Sequence, residues 1–166
     1  DRAKLTLTEA RRLLEPGNLL VEFLLGEDAS SMIAIDERGA TFHALPPRRR
    51  IEERVEAYRK ALLRPLASPD ARLSPETDFR RFAPTGHDLF RDLLGPVEDR
   101  LGGADRLIVV PDRRLHLLPF EALLVRPPED GAPLEFLGAS HAITYLPAAS
   151  FLAATEVSGT SRVVVV

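Results

Sequence analysis

The chain is 166 residues long, with 45% hydrophobic and 28% charged residues, which is the composition of a globular protein with enough length for one good core. A net charge of -3 argues against a nucleic-acid partner, which usually requires a basic face, and no apolar run approaches the roughly 18 residues of a membrane-spanning helix. The absence of cysteine excludes disulfides, thiolate metal sites and a cysteine nucleophile within these residues. A cytoplasmic location is the default expectation.

The N-terminal part predicts one short helix followed by three short strands. Thr8 is expected to cap a helix over residues 9–14, with Glu9 in the favourable first turn. Polar turns then separate three apolar segments, which predict an antiparallel meander with strands over residues 19–25, 32–36 and 41–45. Phe42 alternates with the more polar Thr41 and His43 in the last of these, which predicts a wetter face on that strand.

The hydrophobic period becomes helical after residue 47. An amphipathic helix is predicted over residues 51–64, because apolar side chains recur at spacings of three and four at Ile51, Val55, Tyr58 and Leu62. The three arginines before it, at 48–50, are expected in a solvated loop and helix start. Residues 65–85 contain four prolines and predict a surface loop. A second helix over residues 86–101 is expected to kink or split at Pro96.

The remaining segments complete the expected α/β pattern. Strands are predicted over residues 107–110, 115–118, 142–145 and 162–166. Pro119 is well placed in the first turn of a helix through residue 124, and Pro147 is expected to begin a second helix over residues 148–155. Residues 126–135 predict a loop rich in proline, glycine and acidic residues.

The sequence shows no constellation of catalytic side chains. His116 lies near Asp112, but no companion nucleophile is signalled, so structural packing is expected for this histidine. His141 follows Ser140, and adjacent residues of a strand point to opposite faces, so no dyad is expected from them. His87 is expected to be solvated. No G-x-S-x-G elbow, glycine-rich phosphate loop or metal-ligand spacing occurs, and the sequence therefore assigns no catalytic, cofactor-binding or metal-binding residue.

Three segments carry a resemblance to a known family. Residues 18–45 include Leu-Val-Glu-Phe-Leu-Leu-Gly-Glu and Met-Ile-Ala-Ile-Asp. Residues 107–124 include Leu-Ile-Val-Val-Pro-Asp and Leu-His-Leu-Leu-Pro-Phe-Glu-Ala-Leu-Leu, and residues 141–150 read His-Ala-Ile-Thr-Tyr-Leu-Pro-Ala-Ala-Ser. In this order they resemble the opening hairpin, the most recognisable segment and the following strand and proline-started helix of the CHAT family. Members of that family are caspase-like cysteine peptidases, often joined to tetratricopeptide repeats.

The resemblance implies a caspase-like α/β sandwich whose catalytic histidine and cysteine follow separate later strands, in motifs beyond residue 166. Neither motif has a matching position here, so no catalytic residue is carried over. The resemblance therefore divides the chain into a non-catalytic, pseudo-caspase-like half over residues 1–161 and the first strand of the catalytic core over residues 162–166. It implies a chain that is inactive alone and whose partners are the C-terminal half of the CHAT domain, tetratricopeptide repeats, or a protein activator or substrate.

The two ends of the chain predict a fragment of a longer polypeptide, because no initial methionine is present and the apolar residues 163–166 would make a poor terminus. Two other interpretations stay open. One is a stand-alone α/β protein-interaction module without protease activity. The other is a small-molecule or nucleotide-binding domain that uses the carboxyl ends of its strands, which the missing glycine loop disfavours.

Overall fold

The computed structural model describes residues 6–67 and 80–152. Alternating and continuous apolar segments of the chain form one mixed sheet with the strand order β3-β2-β1-β4-β5. The strands are β1 (Asn18–Leu24), β2 (Ser30–Asp36), β3 (Gly39–Leu45), β4 (Arg106–Val110) and β5 (Ala142–Tyr145). Antiparallel pairing joins β1 to β2 and β2 to β3, whereas β4 is parallel to both β1 and β5. The predicted meander and the predicted α/β class are therefore confirmed.

Two long helices cover one face of the sheet, which we call the helical face. They are α2 (Arg48–Ala67) and α3 (Ala83–Leu93). Their apolar stripes, with Val55, Tyr58 and Leu89 fully buried, pack against inward side chains of β1 and β4 such as Leu19 and Leu107. Pro96 splits the helical segment as predicted: a 3₁₀ turn (Gly95–Val97) separates α3 from the short α4 (Glu98–Leu101).

The opposite side, which we call the second face, has a smaller cover. Helix α1 (Leu7–Leu13) places Ala10 there, and Leu152 joins it after the 3₁₀ turn Ala149–Phe151. Both pack on Leu20, which lies opposite Ile35 of β2 and Ile108 of β4. The cover is therefore centred on one row of side chains across the sheet.

The structure corrects the predicted start of α1. The helix begins at Leu7, and its cap is Thr6 rather than Thr8. The Thr6 hydroxyl accepts from the backbone N–H of Glu9 at 3.2 Å, and the Glu9 carboxylate accepts from the Thr6 backbone N–H at 2.8 Å. This reciprocal capping box needs a spacing of three residues between the hydroxyl and the carboxylate, which Thr6 has and Thr8 lacks.

The prediction of a strand over residues 115–118 is wrong. The chain forms a 3₁₀ helix there (Arg113–Leu117), followed by a single 3₁₀ turn (Phe120–Ala122) in place of the longer predicted helix, with Pro119 at its N-cap. A 3₁₀ helix has three residues per turn, so Leu115 and Leu118 both point into the core. The short, mostly apolar run at residues 115–118 suggested a strand.

The predicted loop over residues 65–85 is wrong at both ends, because α2 continues to Ala67 and α3 begins at Ala83. A short helix α5 (Leu137–Ser140), which the sequence did not predict, precedes β5. Several predictions lie outside the described residues: the rest of the predicted loop, residues 153–155 of the predicted helix, the strand over residues 162–166 and the domain boundary before that strand.

Candidate functional site

The carboxyl ends of the parallel strands β1, β4 and β5 meet at one edge of the sheet, where α/β proteins usually place functional groups. The backbone N–H of Leu25, just after β1, donates to Oδ2 of Asp112 at 2.8 Å. Arg113 then turns the chain with a φ of 49°, a left-handed conformation. The end of β1 is therefore tied to the turn after β4, and a ligand phosphate approaching this edge would find the Leu25 N–H already paired.

Tyr145 ends β5 and fixes the segment that follows the 3₁₀ helix. Its hydroxyl accepts from the Phe120 backbone N–H at 2.9 Å and donates to Oε2 of Glu121 at 2.6 Å. Burial raises the pKa of Tyr145 well above its ordinary value, and the hydrogen bond to Glu121 raises it further. This tyrosine therefore stays neutral at physiological pH and holds the Phe120–Ala122 turn against the sheet.

An open groove of about 390 Å³ lies between the C-terminal part of α2 and this turn. Three of its large side chains are exposed to similar extents: Leu63 at 46%, Leu117 at 45% and Tyr145 at 42%. We call this feature the β5 groove, and its other lining residues are Arg59, Leu62, His116, Leu118, Pro119 and Glu121. Its walls are mostly apolar, which is typical of a binding surface.

His116 does not have the packed environment that the sequence predicted for it. Its side chain is exposed on the 3₁₀ helix and lines the β5 groove, so the expected structural packing is wrong. Asp112 uses its carboxylate to accept from Leu25. The two residues that looked like a possible pair in sequence therefore have different functions in the fold.

The prediction for Ser140 and His141 is also wrong in its geometry. Ser140 ends helix α5 rather than lying in a strand, and its Oγ lies 2.8 Å from Nδ1 of His141. The Nε2 of His141 lies 3.0 Å from the carbonyl oxygen of Leu101. Because a carbonyl only accepts, Nε2 carries the proton. The Ser140 hydroxyl lies between two acceptors, since its Oγ is also 3.3 Å from the carbonyl oxygen of Leu137. The pair fastens the end of α5 to the end of α4.

The two other histidines are held by local partners. His87 is half-buried rather than solvated, because its Nδ1 lies 3.1 Å from the carbonyl oxygen of Leu124 and its ring stacks on Phe90. Nε2 of His43 lies 2.8 Å from Oγ1 of Thr41 on the same strand. Neither histidine is positioned by a carboxylate in these contacts.

A second candidate surface lies on the second face, beside the row that α1 covers. Phe42 is 72% exposed and Leu24 is 67% exposed. Ile33 lies directly opposite Phe42, and Ala44, which is exposed, lies two residues further along β3. We call these four residues, Leu24, Ile33, Phe42 and Ala44, the open patch. Phe42 and Ala44 lie on one side of β3 and are both exposed, although the sequence favoured the side with Thr41 and His43 as the wetter face.

Glu22 lies in the same row of the sheet as the open patch. It faces Ile33 of β2 on one side and Val110 of β4 on the other. Burial raises the pKa of the Glu22 carboxyl, and the structure shows no ion pair or hydrogen bond to that carboxylate from residues 6–67 or 80–152. The open patch therefore has one acidic group at its inner border.

A buried ion pair closes the amino edge of the sheet, far from the β5 groove. Arg100 of α4 donates from Nε to Oδ2 of Asp36 at 2.8 Å and from Nη2 to Oδ1 of the same carboxylate. It also donates to the carbonyl oxygen of Gly39 at 2.6 Å and to Oγ1 of Thr41 at 2.5 Å. The Arg100 guanidinium lowers the pKa of Asp36 to about 2. The pair joins α4 to the turn between β2 and β3.

Among residues 6–67 and 80–152, no three His, Asp or Glu side chains are placed to share a metal ion. Within the same residues, no helix combines the length and the apolar character needed to cross a membrane. Two surfaces of the described residues expose large apolar side chains, the β5 groove and the open patch.

The mixed sheet with helices on its faces defines a protein of the α/β class. The family profile of the CHAT domain matches residues 83–166, which is half of the chain. The chain therefore belongs to the CHAT domain family of caspase-like cysteine peptidases, and the resemblance seen in the sequence is confirmed. The match begins at the first residue of α3, so the β1–β3 meander precedes it. No curated protein matches the chain.

Sequence reasoning missed both candidate surfaces and the Asp36–Arg100 pair. The exposed apolar residues of the β5 groove come from α2, the 3₁₀ helix and β5, which are distant in sequence. Phe42 did carry a signal, since it alternates with polar residues on a strand that the sequence placed correctly. The signal showed that the strand has two different faces, but which face a second layer covers depends on tertiary packing.

Proposed function

We propose that this chain is the N-terminal, non-catalytic portion of a CHAT-domain caspase-like cysteine peptidase, and that it supports and orients the portion that carries the catalytic histidine and cysteine. In this proposal residues 1–161 form the pseudo-caspase-like half and residues 162–166 begin the catalytic core. The open patch is the docking surface between the two portions. The exposed apolar character of the open patch is the observation that carries the proposal.

An apolar sheet face needs a second layer to exclude water from it. The second face has such a layer over Leu20 and Ile35, which are buried. In the neighbouring row the described residues cover Val110 and partly cover Ile33, but they leave Phe42 of β3 72% exposed. Burying a phenylalanine or leucine side chain is worth about 1.5–3 kcal/mol, so the open patch favours association with another apolar surface.

The position of the open patch fits a continuation of the same domain. Leu152, the last residue that the structure describes, packs on Leu20 and Ile108 on the second face. The CHAT match continues from there to residue 166. The chain therefore runs onto the second face within the region that the CHAT profile matches.

The chemistry of the family supports the division of labour. A cysteine peptidase needs a thiolate within hydrogen-bond reach of a histidine. The chain has four histidines and no cysteine, so the nucleophile of such an enzyme has to come from residues outside it. We expect this chain alone to cleave no peptide bond by that route.

The test is to read the coding sequence that follows residue 166 and to express the chain together with the encoded histidine- and cysteine-bearing segment. Replacing Phe42 with Ser, alone or together with Leu24→Ser, is expected to weaken association at least tenfold and to lower peptidase activity in parallel. Leu117→Ser is the matched control, since it removes an equally apolar side chain that is 45% exposed in the β5 groove instead.

Two results would contradict the proposal. One is a gene that encodes no histidine- and cysteine-bearing segment, which would favour the stand-alone interaction module. The other is association that Phe42→Ser and Leu117→Ser affect equally, because the open patch would then have no special part in it.

A further inference from the structure

We infer that the free edge of β5 and the adjoining β5 groove bind an extended segment of a partner protein, which adds a strand beside β5 and places an acidic side chain opposite Arg59. This surface lies at the carboxyl edge on the helical face, away from the open patch. The inference therefore does not rest on the proposed scaffolding function.

The backbone of β5 has a row of hydrogen-bonding groups that no described residue uses. The N–H groups of Ala142 and Leu146 donate to carbonyl oxygens on or beside β4, at 3.1 and 2.9 Å. In this parallel register alternate residues face β4, so the N–H and C=O groups of Ile143 and Tyr145 point to the other side. β5 is the last strand of the sheet, and no described residue pairs with that side. Such an edge is a template for another strand.

The described part of the chain does not fill that edge. The connection from β4 to β5 packs on the helical face through Phe120 and Leu137. After β5 the chain crosses to the second face, where Leu152 packs. Residues 6–67 and 80–152 therefore leave the outer side of β5 available to another strand.

The β5 groove supplies apolar contacts beside this edge. Tyr145 belongs to both features, since its backbone lies on the free edge and its ring lines the groove. Its hydroxyl is already bonded to Phe120 and Glu121, so the ring is held in place as a wall. Side chains of an added strand point alternately toward and away from the helical face, and those on the near side would contact Leu63 and Leu117.

The charges that face the groove select an acidic residue in the partner. Arg59 forms no ion pair with any residue that the structure describes, whereas neighbouring Glu56 is paired with Lys60 at 3.5 Å and with Arg114 at 3.3 Å. Glu121, on the opposite wall, accepts from Tyr145. The uncompensated cation on the α2 wall therefore matches a carboxylate that lies near α2 and away from Glu121.

The experiment uses a synthetic library of acetylated and amidated hexapeptides. The third position is Asp or Glu, the first and fifth positions are varied among apolar residues, and threonine occupies the second and fourth positions. Strand alternation then puts the acid and both apolar side chains on one face. We expect members of this library to bind the full chain, and replacing the acid with Lys to weaken binding at least tenfold.

Variants of the chain locate the site. Arg59→Glu is expected to weaken the binding of the acidic peptides at least tenfold and to restore the binding of the Lys peptides. Leu117→Ser is expected to weaken binding at least fivefold, and Leu24→Ser, in the open patch, is the matched control that leaves it unchanged. The bound peptide should shift the amide NMR resonances of Ile143 and Tyr145 and should protect these two amides from hydrogen exchange.

Each alternative has a result that overturns the inference. Absence of binding by the whole library at 1 mM peptide, or binding that Arg59→Glu does not change, would show that the groove does not recognise such a segment. Protection of the Ile143 and Tyr145 amides in the free monomer would show that the chain covers its own edge. Protection that appears only as the protein concentration rises would assign the edge to a second copy of the chain.

Discussion

The Asp36–Arg100 pair is expected to be the main acid-sensitive element of the described fold. Both side chains are almost fully buried, at 9% and 11% exposure. The Asp36 carboxylate also accepts from the backbone N–H groups of Arg38 at 2.7 Å and Gly39 at 3.2 Å. Removing one member of such a pair leaves the other charge buried without a partner, which typically costs 3–5 kcal/mol. We expect a loss of that size from Asp36→Asn.

The sign of the pH dependence follows from the lowered pKa. Asp36 has a pKa of about 2 in the folded chain and an ordinary value of 3.8, because Arg100 stabilises the charged form. The folded state therefore gains about 2.5 kcal/mol from this group at pH values well above 3.8, and the gain disappears as the pH falls through 3.8 toward 2. The Asp36→Asn variant lacks the carboxyl group and should not show this part of the decline.

Urea unfolding followed by far-UV circular dichroism measures both effects, since the chain has no tryptophan to report by fluorescence. The difference in unfolding free energy between the wild-type chain and Asp36→Asn should shrink by about 2 kcal/mol between pH 6 and pH 2. The matched control is Glu135→Gln, which removes the ion pair between Glu135 and Arg126 at 3.0 Å. The Glu135 side chain is 56% exposed and the Arg126 side chain is 74% exposed. It should cost less than about 1 kcal/mol. Parallel stability curves for the wild type and Asp36→Asn would refute the reasoning.

Two further substitutions test the packing of the helical face and the carboxyl edge by the same unfolding assay. Gly86→Ala would place a Cβ 2.6 Å from the Tyr58 ring and should lower the unfolding free energy by about 1–3 kcal/mol. In Gly95→Ala the nearest atom to the new Cβ lies at 3.9 Å, so the unfolding free energy should change by less than about 1 kcal/mol. Equal effects of the two substitutions would contradict this account. Asp112→Ala leaves the Leu25 N–H without its acceptor and should cost about 1–3 kcal/mol, and a neutral result would mean that water replaces the carboxylate.

The strands of this fold were predictable because their signals are local. Apolar segments separated by polar turns located β1, β2, β3 and β4 to within a few residues, and β5 at its observed bounds. Pro96 marked the break between α3 and α4, because proline removes a helical hydrogen bond whatever the tertiary context. Each of these features follows from neighbouring residues, so the sequence contains enough information to find it.

The errors occur where one local pattern suits two structures. The short apolar run at residues 115–118 predicts a strand, but Leu115 and Leu118 are three residues apart and both buried, which fits one side of a 3₁₀ helix and not one face of a strand. Thr6 and Thr8 both precede an apolar segment, but only Thr6 has a glutamate three residues later. Ser140 and His141 looked like strand neighbours because nothing in the sequence places the end of a helix between them.

The Asp36–Arg100 pair also bears on the open patch, because it holds the strand that presents Phe42. Among the described strands, β3 pairs with β2 alone, and Phe42 and Ala44 on its outward side are exposed. Arg100 bonds to the carbonyl oxygen of Gly39 and to the Thr41 hydroxyl at the start of β3, in addition to Asp36 at the end of β2. A side chain from α4 therefore fixes the turn and the first residues of β3 from the opposite side of the sheet. If the open patch docks the catalytic portion, this buried ion pair sets the orientation of the docking surface. Asp36→Asn should then weaken that association at pH values where the variant is still folded.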